Sequence, residues 1–532
     1  LDEFTKRLLL GTAKSAGALA VLPEVDALLA TIPTVSPEKS LLLTLGAAGV
    51  YERAGRKSQP TPQAASAREE HLPVCKPKFA LLLRDMFAGE HSELLAEALA
   101  LLTQSGGRLP PELLPAALSV RDAHVRTLLT AVLGERGRWL SGFNPDWSWA
   151  SAEVLPESLP ASADTAWLEG TLAERASLLR LARKLEPARA RAWIEEVWKN
   201  EKADARQKLL ETFEINLSPA DEILLDGMLG DRSAGVRAIA AGLLVRLASS
   251  ALAGRMRARA EQLLKFTTQE KPARGVKAAL QAVLGGRSAG KLEIEPPADI
   301  DDDWEHDGIV AKPPQGVGAR AWWLLQTVAL VDPRHWEEKF AIPPAEIVSS
   351  AQEDEWFLSL ADGWAQAAMR FNAPTWMTAV WDALHAAPPP RNAAREVQAV
   401  AKLLRELLGQ MPADEAQTRV AQLFDQPPTE GVLTWLDAIG SLAPPWSAQF
   451  SQAYLRHVRR MIQTPQASRQ YIYPIGVTLE AAARAIPAES LTAALLDWQI
   501  PDADDRAMRE QFVDKFLETI RLRQALIEEA GV

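Results

Sequence analysis

A single cysteine in 532 residues, Cys75, leaves no partner for an internal disulfide and excludes a cysteine-rich zinc site. Histidine is scarce too. The seven present show no HExxH spacing, so neither a metal nor any other cofactor is expected. Basic charge is in deficit, 58 Lys+Arg against 69 Asp+Glu, which argues against a whole-surface binder of nucleic acid or anionic membrane. Long apolar runs are missing as well: Leu41–Val50 is half the roughly 20 residues that span a bilayer, and Ala18–Ala30 is interrupted by Pro23, Glu24 and Asp26. The Leu1–Leu10 start has neither an initiator Met nor a signal-peptide layout, so residues before Leu1 are expected to be missing. A reducing cytoplasm is the expected location.

What is abundant is helical pattern. Hydrophobic residues at 47% and charged residues at 24% match a folded globular chain, and the length is several times the roughly 150 residues of one domain. Apolar residues recur at three- and four-residue spacing in segments broken by Pro, Gly or Ser, and alternating strand-like runs are nearly absent, which predicts an all-α fold. The clearest unit runs from Ser218 to Leu247. Ser218 is a good N-cap, Pro219 suits the first turn, and Asp221 completes a capping box ahead of the stripe Leu224, Leu225, Met228 and Leu229. Gly230 ends that helix. Asp231 or Ser233 caps the next, whose stripe is Val236, Ala240, Leu243, Leu244 and Leu247. Asp231, Val236, Arg237, Ala240 and Leu244 resemble the signature of the second helix of a HEAT repeat. Such a hairpin cannot bury its apolar face alone and must stack on neighbours, so the expectation is a HEAT-like α-solenoid of helical hairpins with a second helical domain.

Half of the aromatic residues are tryptophan, 17 beside 13 Phe and 4 Tyr. Two stretches, 185–198 and 371–381, each place a Pro shortly before a Trp-x4-Trp pair: Trp193 with Trp198, and Trp376 with Trp381. Residues five apart lie about 140° round a helix, so the two rings cannot share a face, and packing between helices is preferred over a stacking platform for a ligand. Residues 56–78, rich in Pro, Ser and Gln, read as an exposed loop. Gly285–Gly318, rich in Gly and Pro with an acidic centre, reads as a linker between an N-terminal solenoid over 1–284 and a C-terminal helical domain over 319–532. A last helix over 505–530, with Phe512, Phe516 and Ile520 on one face, is expected to cap the C-terminal end.

No catalytic constellation stands out. Gly285–Lys291 matches GxxxxGK, but Leu292 stands where Ser or Thr would hold magnesium, no strand precedes it, and Pro296-Pro297 bars a long following helix. The overlapping Gly286-x-Ser288-x-Gly290 lacks the strand-turn-helix setting of a nucleophile elbow. Asp301, Asp302, Asp303, Glu305 and Asp307 are hard oxygen ligands in the wrong order for an EF-hand, with Gly308 at the eighth position and Lys312 at the twelfth. A solvated acidic linker is the simpler reading, and docking of that segment on a basic surface is the other.

Such a surface is legible. Residues 171–290 hold 21 Lys+Arg and 14 Asp+Glu, a net of +7 against −18 for the rest. Within them Arg232, Arg237, Arg246, Arg255, Arg257, Arg259 and Lys265 form the candidate basic interaction surface, continued by Lys271, Arg274 and Lys277. Solvated helix faces explain such a run, and so does a functional stripe that takes an acidic protein, nucleic acid or the chain's own 293–307 segment.

Val132-Leu133-Gly134, Arg136-Gly-Arg-Trp139, Asn144-Pro-Asp146-Trp147, Trp167-x-Glu-Gly170, Leu217–Glu222, Asp231–Arg237 and Arg255-Met-Arg257 carry a wider resemblance. The chain resembles an uncharacterised family of bacterial α-helical proteins encoded near MoxR-type AAA+ ATPases, von Willebrand factor A proteins and SWIM zinc-finger proteins. The resemblance implies no catalytic residue. It implies a scaffold or adaptor whose partners are an AAA+ ATPase and a von Willebrand factor A protein. A DNA-repair or other nucleic-acid-binding solenoid using the basic stripe is the alternative.

Overall fold

In the computed structural model, residues 27, 30–31, 36–54, 66–151, 158–160, 162–268, 290–387, 394–426, 432–464 and 471–531 are described. Contacts divide the chain into two compact units, 1–67 and 68–532. The first contributes one described helix, Pro37–Ala54, in which the buried Thr44 returns its hydroxyl to the Ser40 carbonyl at 2.8 Å. The second holds all the residues discussed below.

The protein is all-α, with one two-stranded sheet among the described residues. Local signals start and stop the helices. Thr171 and Glu174 form a reciprocal capping box before the Leu172–Leu185 helix, and Pro187 opens the next, Pro187–Val197. Ser218 and Asp221 make the expected box, although the first turn, Pro219–Asp221, is 3₁₀ and the α-helix proper is Glu222–Met228. Asp231 organises the following turn by accepting from the Ser233 N–H at 2.8 Å, while the Ser233 hydroxyl makes no cap bond to the Ala234–Leu244 helix. Val236, Ala240, Leu243, Leu244 and Leu247 are all buried, as the spacing requires.

Asp221 does more than cap. Both of its oxygens accept from Arg183, at 2.7 and 2.8 Å, and Arg191 adds a third bond at 3.0 Å. Arg183 also donates to the Ile215 and Asn216 carbonyls, so the buried pair leaves few bonding sites unmet.

Neighbouring helices then pack in series. Leu172–Leu185 lies on Pro187–Val197 and Ala203–Leu210, Ala203–Leu210 on Ala234–Leu244, Ala251–Leu263 on Ala319–Ala329, and Ala319–Ala329 on Phe357–Arg370. One buried cluster extends from Leu159 to Ile520. It passes through 290–318, where Leu292 and Ile309 are buried, so these residues pack within the unit instead of spanning a gap between two bodies. Gly308 makes this close approach possible: its φ is +91°, and a Cβ there would stand 2.5 Å from the Ala241 Cβ and 3.0 Å from the Arg237 carbonyl oxygen. The sheet enters the same region, Leu264–Thr268 pairing antiparallel with Gly290–Ile294 in the register Leu264 opposite Ile294. The sequence reading missed both strands, because Leu263-Leu264-Lys265 continues a helical pattern.

The two Trp-x4-Trp stretches share a packing scheme. Trp193 stacks on Trp167 at 5.2 Å and donates its indole N–H to Asp164, while Trp376 packs on Trp364 at 5.5 Å and donates to Glu337. The second Trp of each pair lies beneath an arginine, Arg206 over Trp198 at 5.7 Å and Arg419 over Trp381 at 5.9 Å.

Of the expected 56–78 loop, residues 66–78 are described; Pro77 and Lys78 already open a helix, and Glu70 ties down the stretch before it by accepting from the Glu135 and Arg136 backbone N–H groups. A second buried cluster gathers Phe79, Leu83, Leu99, Leu102, Leu129 and their neighbours, and Leu526 belongs to it. Leu526 comes from the last helix, Arg506–Ala530, which packs on Ile472–Ala485 along one part and on Pro77–Phe87 and Leu95–Gln104 along another. Arg523 fastens this junction, donating to Glu97 at 2.7–3.0 Å and to the Ala483 and Ile486 carbonyls. The last helix therefore joins distant parts of the unit, where the sequence suggested a terminal cap. No helix among the described residues is long and apolar enough to cross a membrane.

Candidate anion-binding site

The Ala251–Leu263 helix begins at Ser250, whose hydroxyl accepts from the Ala253 N–H at 3.2 Å. Spacing then distributes its arginines: Arg255 and Arg259, four apart, share a face, and Arg257, about 200° from each, turns to another.

The Arg255 and Arg259 face holds the acidic segment of the same chain. Arg255 grips Asp307 through both oxygens at 3.0 and 2.6 Å, and Arg259 adds a bond at 2.6 Å. The Arg259 guanidinium also lies 4.9 Å from the Trp304 ring centroid. Burial pushes the Asp307 carboxyl up, but the Arg255 hydrogen bonds and the charges of Arg259 and Arg255 outweigh it and hold the group below the usual carboxylate range. Arg237 donates to the Glu305 and Asp231 carbonyls and pairs with the Glu305 carboxylate at 3.6 Å. Lys265 meets Glu295 at 3.8 Å in an exposed pair of little energetic weight. Asp301 caps the short Asp302–His306 helix by accepting from the Trp304 N–H, while Asp302 and Asp303 are exposed.

The Arg257 face is different. Here the helix, the Val245–Ala248 turn, the Leu330–Arg334 turn and the Arg370–Asn372 turn enclose a cleft of about 360 Å³. Arg246, Arg257, Arg334 and Arg370 line it, with Asp332 as the carboxylate. Asp332 is engaged by Arg334 at 2.9 and 2.7 Å, and Arg334 donates also to the Phe371 carbonyl. Arg246 and Arg257 are exposed and form no ion pair among the described residues. Arg370, half-buried, donates to the Ala329 carbonyl, and loss of hydration, then the neighbouring Arg246 charge, bring its pKa down to about 10. Gly242 lies beside it: a Cβ there would sit 3.5 Å from the Arg370 Nε. Asn372, at φ +48°, turns the chain at the rim, a conformation Asn tolerates better than most residues.

The structure thus separates the seven candidate basic residues. Arg237, Arg255, Arg259 and Lys265 face carboxylates of residues 295–307, Arg246 and Arg257 line the cleft, and Arg232 is exposed and belongs to neither group. Lys271, Arg274 and Lys277 lie outside the described residues. Arg334 and Arg370 escaped the sequence reading, since they lie beyond the basic run and each stands alone in its segment. Of Gly285–Lys291, residues 285–289 lie outside the described residues, and Gly290 and Lys291 open a strand where a nucleotide-binding loop would open a helix.

The fold and site define an all-α protein with an arginine-lined cleft beside a clasped acidic segment. The chain belongs to DUF5691, a family of unknown function, whose match covers residues 3–530. No curated protein and no solved structure matches it.

Proposed function

We propose that this chain is a non-catalytic scaffold or adaptor, a HEAT-like helical array that receives acidic segments of partner proteins on its 232–265 basic stretch. The observation that carries the reading is the Asp307 clasp: this surface already holds an acidic segment, its own, with three charge-assisted bonds to one carboxylate. Stacked helices offer long surfaces for such contacts without intrinsic chemistry. The family resemblance supplies the partners proposed here, a MoxR-type AAA+ ATPase and a von Willebrand factor A protein, with the cytoplasm as the setting.

The alternative is nucleic-acid binding. Duplex DNA presents about one charge per 1.7 Å of axis and favours a continuous basic track. Arg237, Arg255, Arg259 and Lys265 are already met by acidic groups, which leaves a compact basic patch and favours a protein partner. Fluorescence anisotropy with labelled polyglutamate, duplex DNA and single-stranded DNA, at low and physiological ionic strength, decides between them. Polyglutamate binding that weakens in Arg246→Ala and Arg257→Ala is the expected result, whereas DNA binding without polyglutamate binding selects the alternative. Recovery of an AAA+ ATPase on affinity purification from the native host tests the named partner.

A further inference from the structure

The two faces of the Ala251–Leu263 helix make an internal comparison. On one, a single carboxylate with two oxygens saturates two guanidinium groups. On the other, four guanidinium groups share one carboxylate, and Asp332 is taken up by Arg334. Three positive charges, on Arg246, Arg257 and Arg370, converge on the cleft without an acidic partner among the described residues.

Such an arrangement is unfavourable when empty. Arg370 is half-buried and has lost part of its hydration, with one backbone carbonyl as its acceptor, and Arg246 stands near enough to repel it. Glu214, outside the lining, acts on it only through its charge, and Asp332, the one acidic lining group, is committed to Arg334. A carboxylate would offset one charge of three. A phosphate monoester carries a charge of about −1.5 to −2 at neutral pH on three acceptor oxygens, and guanidinium forks match that geometry. The cleft volume, about 360 Å³, lies at the lower end of the roughly 300–1,000 Å³ of small-ligand sites. Its walls come from three inter-helix turns and one helix, so a bound group would tie together segments from Val245 to Asn372.

We propose that the cleft formed by Arg246, Arg257, Arg334 and Arg370 is a binding site for a phosphate monoester. Arg370 is the inner, half-buried anchor, Arg246 and Arg257 close on the outer oxygens, and Arg334, held by Asp332, sets the wall. The proposal goes beyond the scaffold reading and does not depend on it. The phosphate could belong to a small metabolite or to a phosphorylated side chain, and these share the chemistry.

Isothermal titration calorimetry on the full chain tests it with four probes: inorganic phosphate, a hexose phosphate, a phosphoserine peptide, and succinate as a dicarboxylate of equal charge. Saturable binding of at least one phosphate probe, weakened about tenfold in Arg246→Ala and in Arg257→Ala, is expected. Arg370→Met, which removes the inner charge, should abolish it, and circular dichroism checks that the variant is folded. The exposed Arg246 and Arg257 positions keep the test valid if Arg370→Met does not fold. A tighter hexose phosphate assigns a metabolite, and a tighter peptide assigns a phosphoprotein; both support the site. Absence of binding by all three phosphate probes, equal binding by the Arg246→Ala/Arg257→Ala double variant, or succinate binding as tight as phosphate overturns it. Retained polyglutamate binding beside absent phosphate binding would sink this inference alone, and the converse would sink the scaffold reading alone.

Discussion

At Asp307 two arginines from one helix face share a carboxylate that is almost wholly withdrawn from water, and its loss leaves both without a counter-charge. Asp307→Asn should lower stability by about 2–3 kcal/mol at pH 7, the lower end for a broken buried pair because Arg255 keeps access to solvent. The sign with pH follows from the lowered carboxyl pKa. The folded chain favours the ionised form, so the contribution is complete above the unfolded pKa of about 3.9 and disappears as pH falls through the lower folded value. Urea melts of wild type and variant should therefore differ at pH 7 and converge toward pH 3. A constant difference across that range would assign the loss to packing instead. The acidic run was legible as a candidate for docking, but which of its members docks was not: Asp302 and Asp307 look alike in sequence and differ only in what folds against them. Asp221 shows the same limit. Its capping role is written in the local Ser218-Pro-Ala-Asp spacing, whereas its pairing with Arg183 comes from 38 residues away.

The helices Ala319–Ala329 and Phe357–Arg370 pack closely on each other, with Gly363 at the contact. A Cβ at Gly363 would stand 2.8 Å from the Leu325 carbonyl oxygen and 3.1 Å from the Val328 Cβ. Neither neighbour is the end of a flexible side chain, so the helices would have to part. Gly363→Val should destabilise by at least about 1–3 kcal/mol, seen as a lower denaturation midpoint with an unchanged slope. A midpoint equal to wild type would mean that the interface has slack. The cleft beside Arg370 shares this pair of helices, so phosphate affinity should fall in the same variant. Helices of this kind announce themselves in sequence because period, cap and breaker agree, as in 218–247. The strands Leu264–Thr268 and Gly290–Ile294 did not, since each is five residues long and gains its stability from a partner more than twenty positions away. The Trp pairs fall between these cases: the recurrence was visible, while the matching arginines and carboxylates around each ring became apparent only in three dimensions.

For the molecule as a whole, the buried cluster from Leu159 to Ile520 makes the residues on either side of 290–318 interdependent. Fragments ending at 284 or beginning at 319 would expose the faces that receive Leu292 and Ile309. Expressed separately, 68–284 and 319–532 should each lack the cooperative unfolding transition of the full chain, as followed by calorimetry; two sharp independent transitions would contradict this. Little of this interdependence was legible, because the Gly- and Pro-rich composition of 285–318 signals a break in helices and says nothing about where the intervening residues lie. The Arg523–Glu97 pair is a plain case, 426 residues apart and invisible to any local pattern. That pair also sets a schedule for synthesis. The cluster built on Phe79, Leu99 and Leu129 needs Leu526 to be complete. At about 5–20 residues per second, a ribosome that has finished Ala150 reaches Leu526 roughly 20–75 s later. For that interval the first helices of the cluster present an unfinished apolar face.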